Sequence, residues 1–227
     1  MSDIRLIEDY KLEAFMVDRL QTIDSRPSKQ PKKDVKWSQL VQYAVNYVIH
    51  DLYALPQEQR TAECVAALVE NRWTNRHYKF ESFAHFKACK QLVIDNLTKY
   101  VKQMPCSIHP ILLFEQWRST IPPLNVELSM IFQVAFMPPA SEASGLVIQK
   151  FIVEDQVTLI STFVHMTAVF CLHAFGHIPD RIEVYSMLSD NVYSYRPHRE
   201  NISSSYDYMK LVASCLYESK QQQLHLN

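Results

Sequence analysis

Gly145 and Gly176 are the only glycines in 227 residues, and that scarcity limits the available folds more sharply than any other feature. A Walker A loop, a GxGxxG dinucleotide turn, a GxSxG nucleophile elbow and a kinase glycine-rich loop each need several backbone positions free of a Cβ. The usual nucleotide-binding and α/β-hydrolase frameworks are therefore excluded. With 48% hydrophobic and 21% charged residues, the chain can bury a real core and is too apolar for disorder, so one domain over residues 1–227 is expected. The formal net charge of −1 gives no global basic field, and any contact with nucleic acid has to come from a local patch. Apolar runs are broken by polar or charged groups short of bilayer length, and the N-terminus lacks the basic, apolar and small-residue order of a secretory signal. A cytoplasmic location and no membrane contact are expected. Cys64, Cys89, Cys106, Cys171 and Cys215 are scattered, without a CxxC or a Cys/His pair at zinc spacing, and read as reduced thiols, mostly in the core.

Hydrophobic period divides the chain in two. Leu6, Ile7, Tyr10, Ala14, Phe15, Val17 and Leu20 predict a first helix over 4–20. Ser25 to Asp34, with two prolines and Lys29, Lys32 and Lys33, reads as a basic linker that is either a solvated loop or a phosphate-binding arm. A broad stripe from Leu40 to Leu52 predicts a buried helix over 37–55 ended by Pro56. A helix capped at Thr61 runs to Trp73, and another from Ser82 to Pro105 buries the face from Phe83 to Met104. Residues 1–105 are thus mainly helical. Beyond them, short apolar stretches at 111–117, 126–136 and 146–153, separated by prolines and Gly145, predict strands. A helix over 155–175 stops at Gly176. Strands over 181–188 and 192–195 turn at Ser189, Asp190 and Asn191, and a last helix covers 203–218. The fold class is α+β, with a small mixed sheet over 106–219 flanked by helices and a polar tail over 220–227.

That order, and several local runs, resemble the RecB-like nucleases of the PD-(D/E)XK superfamily. Val45 and Asn46, followed by Asp51 to Pro56 and by Gln59, Arg60 and Thr61, resemble the family's segment in which a histidine-bearing helix ends in "FYxLP" and "ERT". Leu128 to Val134 overlay "LxGxIDRV", Leu146 to Phe151 overlay "LxVIDYK", and Asp155, Gln156 and Leu159 overlay the start of the "QLxLY" helix. The resemblance implies a scaffold of three meandering strands, a crossing helix and further strands. It also implies a metal-dependent site, which needs acidic oxygens for a divalent ion and a lysine near the scissile phosphate. Aligned this way, the metal-binding histidine falls on Asn46, the first aspartate on Phe132, the second acid on Gln149 and the lysine on Phe151. All four are replaced by residues that cannot hold a hard dication. Lys150 is one step away, on the opposite face of a strand unless a bulge intervenes. No catalytic residue, no metal and no cofactor are expected.

Other groups carry readings of their own. His165, His173 and His177, with Asp180 and Glu183 nearby, read either as a metal site or as capping and core histidines. Tyr193, Tyr195, Arg196, His198 and Arg199 read as a base-stacking, phosphate-binding strip or as an edge hairpin. Arg72, Trp73, Arg76, His77, Tyr78 and Lys79 form a second such patch, and Gln156 either touches nucleic acid or ties helix to sheet. The functional expectation is a catalytically inactive nuclease-like protein that serves a DNA-processing or defence assembly. Its partners are expected to be a protein, DNA or both. Two alternatives stand beside it: an enzyme whose groups, such as Glu115, Glu127, Glu154 or His165, have migrated into the cleft, and a pure protein-interaction module.

Overall fold

The structure is a computed structural model that describes residues 4–24, 35–104, 108–138 and 145–225. The basic linker at Ser25 to Asp34, and Cys106, lie outside them. Six strands form one mixed sheet: β1 Arg5–Glu8, β2 Leu112–Ile121, β3 Val126–Phe136, β4 Val147–Ile152, β5 Arg181–Ser186 and β6 Val192–Tyr195. β2, β3 and β4 meander antiparallel, β5 runs parallel to β4, and β6 returns antiparallel. After the opening strand β1, which the sequence reading lacked, the expected order of helices, strands, helix, strands and helix follows, and the α+β class is that of the structure.

Each sheet face carries its own core. On one face lie α2 Trp37–Ala54, α3 Ala62–Arg72 and α4 Phe83–Gln103. Val41, Val45, Ile49, Val65, Val93 and Leu97 meet Val134, Phe136, Val147 and Phe151 there. Thr61 and Ser82 cap α3 and α4 as their sequences predict, their hydroxyls accepting from the backbone N–H groups of Cys64 and His85 at 3.4 and 3.0 Å. The other face holds α1 Asp9–Asp24, α5 Val157–Ala174 and α6 Ile202–His225. There Phe163, Val169 and Phe170 pack with Met209 and Leu216 over Leu128, Phe132, Ile148 and Ile182. α5 ends at Phe175, and Gly176, at φ 78, takes the left-handed turn that follows. α5 is long and apolar enough by length to cross a bilayer, contrary to the sequence expectation, but half of it is buried as the crossover helix between β4 and β5.

Several boundaries depart from the sequence reading: α1 runs to Asp24 rather than 20, β2 to Ile121 rather than 117, and β5 stops at Ser186 rather than 188. α6 runs to His225 rather than 218. Arg5 to Glu8 form a strand, not the start of a helix. Intrinsic helix preferences differ by less than about 0.7 kcal/mol per ordinary residue, whereas burying one isoleucine contributes roughly 1.5–3 kcal/mol. Ile7 is buried to 1% exposure by parallel pairing with β3, so tertiary contact overrides local period.

β3 shares one of its edges between two partners. β1 takes Val126 to Ser129 and β4 takes Val134 to Phe136. In the interval, the N–H of Ile131 has no strand to meet and donates instead to Asp9 Oδ2 at 2.8 Å. Asp9 also accepts from the backbone N–H of Tyr10 at 2.7 Å, and burial raises its carboxyl pKa. Asp9→Ala should lower stability by about 1–3 kcal/mol, the penalty for an orphaned buried N–H. Asp9→Asn, which keeps an acceptor, should lose clearly less; urea unfolding of the two variants measures the difference.

Candidate functional site

The interval where β4 leaves β3 is also where the resemblance puts the metal-binding cleft, and it is filled by side-chain amides. Gln42 and Asn46 lie one turn apart on α2 and face the gap. Gln42 Nε2 donates to Asn46 Oδ1 at 2.8 Å and to the carbonyl of Phe151 at 2.9 Å, while its Oε1 accepts from the N–H of Val153 at 3.1 Å. From β3, Gln133 Oε1 accepts from the N–H of Phe151 at 2.5 Å, and its Nε2 donates to Asn46 Oδ1 at 3.2 Å. The side chains thus replace the ladder bonds that β3 and β4 no longer exchange. Asn46 Oδ1, the oxygen best placed to touch a cation, already accepts two N–H groups.

Of the four assigned positions, the fold gathers only some. Asn46 and Phe151 meet at the gap through Gln42 and Gln133. Phe132 does not: it faces α5, with its ring 5.5 Å from that of Phe170. Gln133, the next residue, faces the gap instead. The cause is a break in strand alternation. Leu113 and Phe114 on β2 both turn toward the α2 side, as does Val134 beside Gln133 on β3. Phe114, in the left-handed region at φ 52, absorbs the change between the pairs Leu113↔Val134 and Glu115↔Phe132. Lys150 projects from the opposite face, as a single strand step requires. There it pairs with Glu13 of α1 and lies 4.4 Å over the Phe163 ring.

Gln149 anchors a second, deeper network. Tyr53 and Tyr100 share a hydrogen bond of 2.5 Å between their hydroxyls, and Tyr100 donates to Gln149 Oε1 at 2.7 Å. Gln149 Nε2 donates to Glu183 Oε2 at 2.8 Å; that oxygen also accepts from Tyr185, and Arg181 pairs with Glu183 Oε1 at 2.7 Å. Burial pushes the phenol of Tyr53 up to about 12 and those of Tyr100 and Tyr185 well above their ordinary value. These phenols stay protonated near neutrality and act as donors, not as bases or nucleophiles. Arg60, named in the sequence only as part of the run after Pro56, ties this region to the segment before β2: its guanidinium donates to the carbonyls of Leu55, Tyr53 and Ile108.

The remaining candidates lie apart. Between α5 and α6, His165 Nδ1 is 3.0 Å from Ser205 Oγ and His173 Nε2 is 2.5 Å from the Tyr206 hydroxyl, whereas His177 is exposed beyond Gly176. No three His, Cys, Asp or Glu side chains gather as metal ligands among the described residues, so the histidine-metal reading gives way to an interhelical one. Glu115 accepts from Trp117 on β2, Glu127 sits on β3, and Glu154 follows β4, so with His165 they occupy four separate places. Arg72 is held by both oxygens of Asp51, at 2.5 and 3.0 Å, and its charge is compensated. Arg76 is exposed, and Lys79 lies 5.7 Å over the Tyr78 ring. Tyr193 and Tyr195 are half-buried against the core, with Arg196 and Arg199 exposed beside them. Gln156 stands at the N-terminus of α5, its Oε1 buried without a partner. Of the cysteines, Cys89 and Cys171 are buried, Cys64 half-buried and Cys215 exposed, all as free thiols.

No protein-family model matches the chain, and no curated protein matches it. The geometry therefore stands alone. It describes a cleft of neutral amides, with every polar group of Gln42 and Gln133 engaged with the protein.

Gln133→Leu, which leaves the Phe151 N–H without its acceptor, should lower stability by about 1–3 kcal/mol in urea unfolding, and Gln133→Met should do no better because its sulfur accepts weakly. A pH dependence follows from the other face. Burial holds the imidazoles of His165 and His173 below their ordinary pKa. The unfolded chain then binds more protons in the window from about pH 6.5 downward. Stability should be fully present above that window, fall as pH drops through it, and level off below the folded-state values. The urea midpoint measured across it should show the fall, and His165→Gln with His173→Gln should flatten it.

Proposed function

We propose that the protein is a catalytically inactive RecB-like nuclease scaffold, a binding or structural component of a DNA-processing or defence assembly. It works in the cytoplasm, against a protein partner, DNA or both. The observation that carries this reading is the amide lattice of Gln42, Asn46 and Gln133 around the Phe151 backbone. A nuclease cleft holds a dication with charged oxygens and keeps coordination positions open to water and phosphate. Here the oxygens are neutral and already engaged. The nearest acid of the deeper network, Glu183, is taken by Arg181, Gln149 and Tyr185. A lysine at the wrong face and bound to Glu13 cannot activate a water in the cleft.

A second reading, a protein-interaction module with no nucleic acid, draws support from ion pairing. Arg72, Lys90, Lys99, Lys150 and Arg181 are each held by a carboxylate and add little to a phosphate-binding field. Exposed Tyr43 and Tyr47 on α2 are the kind of rings that protein interfaces use. Titration with millimolar magnesium or manganese should give no binding heat, and neither single nor double strands should be cut. Specific metal binding abolished by Asn46→Ala and Gln133→Ala, or metal-dependent cleavage, would overturn the inactive reading. Gel shifts at rising salt separate the two binding readings, because phosphate contacts weaken steeply with salt.

A further inference from the structure

We propose that the turn at His77–Lys79 and the first turn of α4 form a stacking platform for single-stranded nucleic acid. The proposal rests on the binding role given above and assigns it a ligand and a place. Tyr78 and Phe83 leave 68% and 57% of their surface in solvent, yet both rings are held in position. His77 meets Tyr78, Phe83 and Phe86 edge to face at centroid distances of 6.3, 5.9 and 6.2 Å, and Phe83 stacks on Phe86 at 5.9 Å. Rings fixed in position with more than half of their surface in solvent can receive an unpaired base without losing much freedom. A duplex hides its base faces, so the same surface discriminates against it.

Cations frame these rings. Lys87 Nζ lies 4.7 Å over Phe83 and Lys79 Nζ 5.7 Å over Tyr78. Across residues 76–87, Arg76, Lys79 and Lys87 against the lone Glu81 give a formal charge of +2, in a chain whose total is −1. Among the described residues Arg76 and Lys87 carry no carboxylate partner, in contrast to neighbouring Arg72 and Lys90, which are bound to Asp51 and Glu70. Arg76 and Lys87 beside solvent-exposed rings are the combination that follows a phosphate chain and stacks its bases. The strip on β6 lacks half of it. Arg196 and Arg199 are exposed, but Tyr193 donates to Asp155 at 3.0 Å and both tyrosines lean on the core.

Fluorescence anisotropy with labelled oligothymidylate and oligouridylate of about 15 nucleotides, at low salt and in EDTA, tests the proposal without reference to metal chemistry. The intact chain should bind one or both strands and bind a duplex of equal length more weakly. Tyr78→Ala with Phe83→Ala should weaken binding by about ten-fold or more, and Arg76→Glu with Lys87→Glu should weaken it and flatten its salt dependence. Arg196→Glu with Arg199→Glu should leave it unchanged, and unfolding curves report whether each variant is folded. No binding by the intact chain, or binding indifferent to both patch variants while they remain folded, overturns the assignment. If oligonucleotides are ignored and the ring variants instead abolish association with a protein partner, the surface is a protein interface and the nucleic-acid assignment falls. Cleavage in magnesium, by contrast, would remove the inactive reading and leave this binding result standing.

Discussion

A buried backbone N–H without an acceptor costs about 1–3 kcal/mol, and the geometry of β3 creates that problem in the middle of the sheet. One edge of β3 is covered along its length by β2, while the other is divided between β1 and β4. Between them the ladder stops. Asp9 and Gln133 close the gap, one by accepting from Ile131 and the other by accepting from Phe151. Asp9 opens α1 and sits just after β1, so sealing the sheet also fixes the N-terminal segment against it. Gln133 reaches Asn46, so it also joins α2 to the opposite face. Both helical layers are thus tied to the same interruption.

The choice of sealing group decides the chemistry. A splayed pair of strands under a helix makes a small, partly shielded recess, and carboxylates there would repel one another unless a cation bound between them. Amides avoid that need, because each brings a donor and an acceptor and can satisfy backbone groups of either kind. Gln42 uses both ends in this way, on the carbonyl of Phe151 and the N–H of Val153. The deeper network repeats the logic. Gln149 accepts from a phenol and donates to a carboxylate whose charge is already balanced by Arg181. The amides and phenols of this region thus satisfy one another and the backbone from the chain's own groups.

Much of the architecture was legible because its signals are local. Helical stripes, the caps at Thr61 and Ser82, the strands bounded by proline, and Gly176 after α5 each depend on neighbours within a few residues. The misses share the opposite property. Nothing local marks Arg5 to Glu8 as a strand, since the reason lies at Val126 to Ser129. The cleft itself was half legible. Asn46 and Phe151 belong to one polar network and Gln149 to the other, and the side on which Lys150 emerges follows from strand parity. That Phe132 faces α5 while Gln133 faces the gap could not be read beforehand, because alternation breaks at Phe114, and a phenylalanine at positive φ inside a strand has no sequence signature. Gln42 had a visible clue in its i, i+4 spacing from Asn46. Gln133 had none, because its role depends on where β4 departs.

Lys150 and Arg181, both beside the sheet, are matched by Glu13 and Glu183, so the interior and its margins are electrostatically closed. Such pairs are of little net value for stability, but they leave no cation available to a ligand. Arg76 and Lys87, which have no carboxylate partner among the described residues, lie instead outside the sheet, at the rim of the helical layer. The recess between β3 and β4 is therefore structural: its amides are spent on the backbone of Phe151 and Val153, and the cations beside it on Glu13 and Glu183.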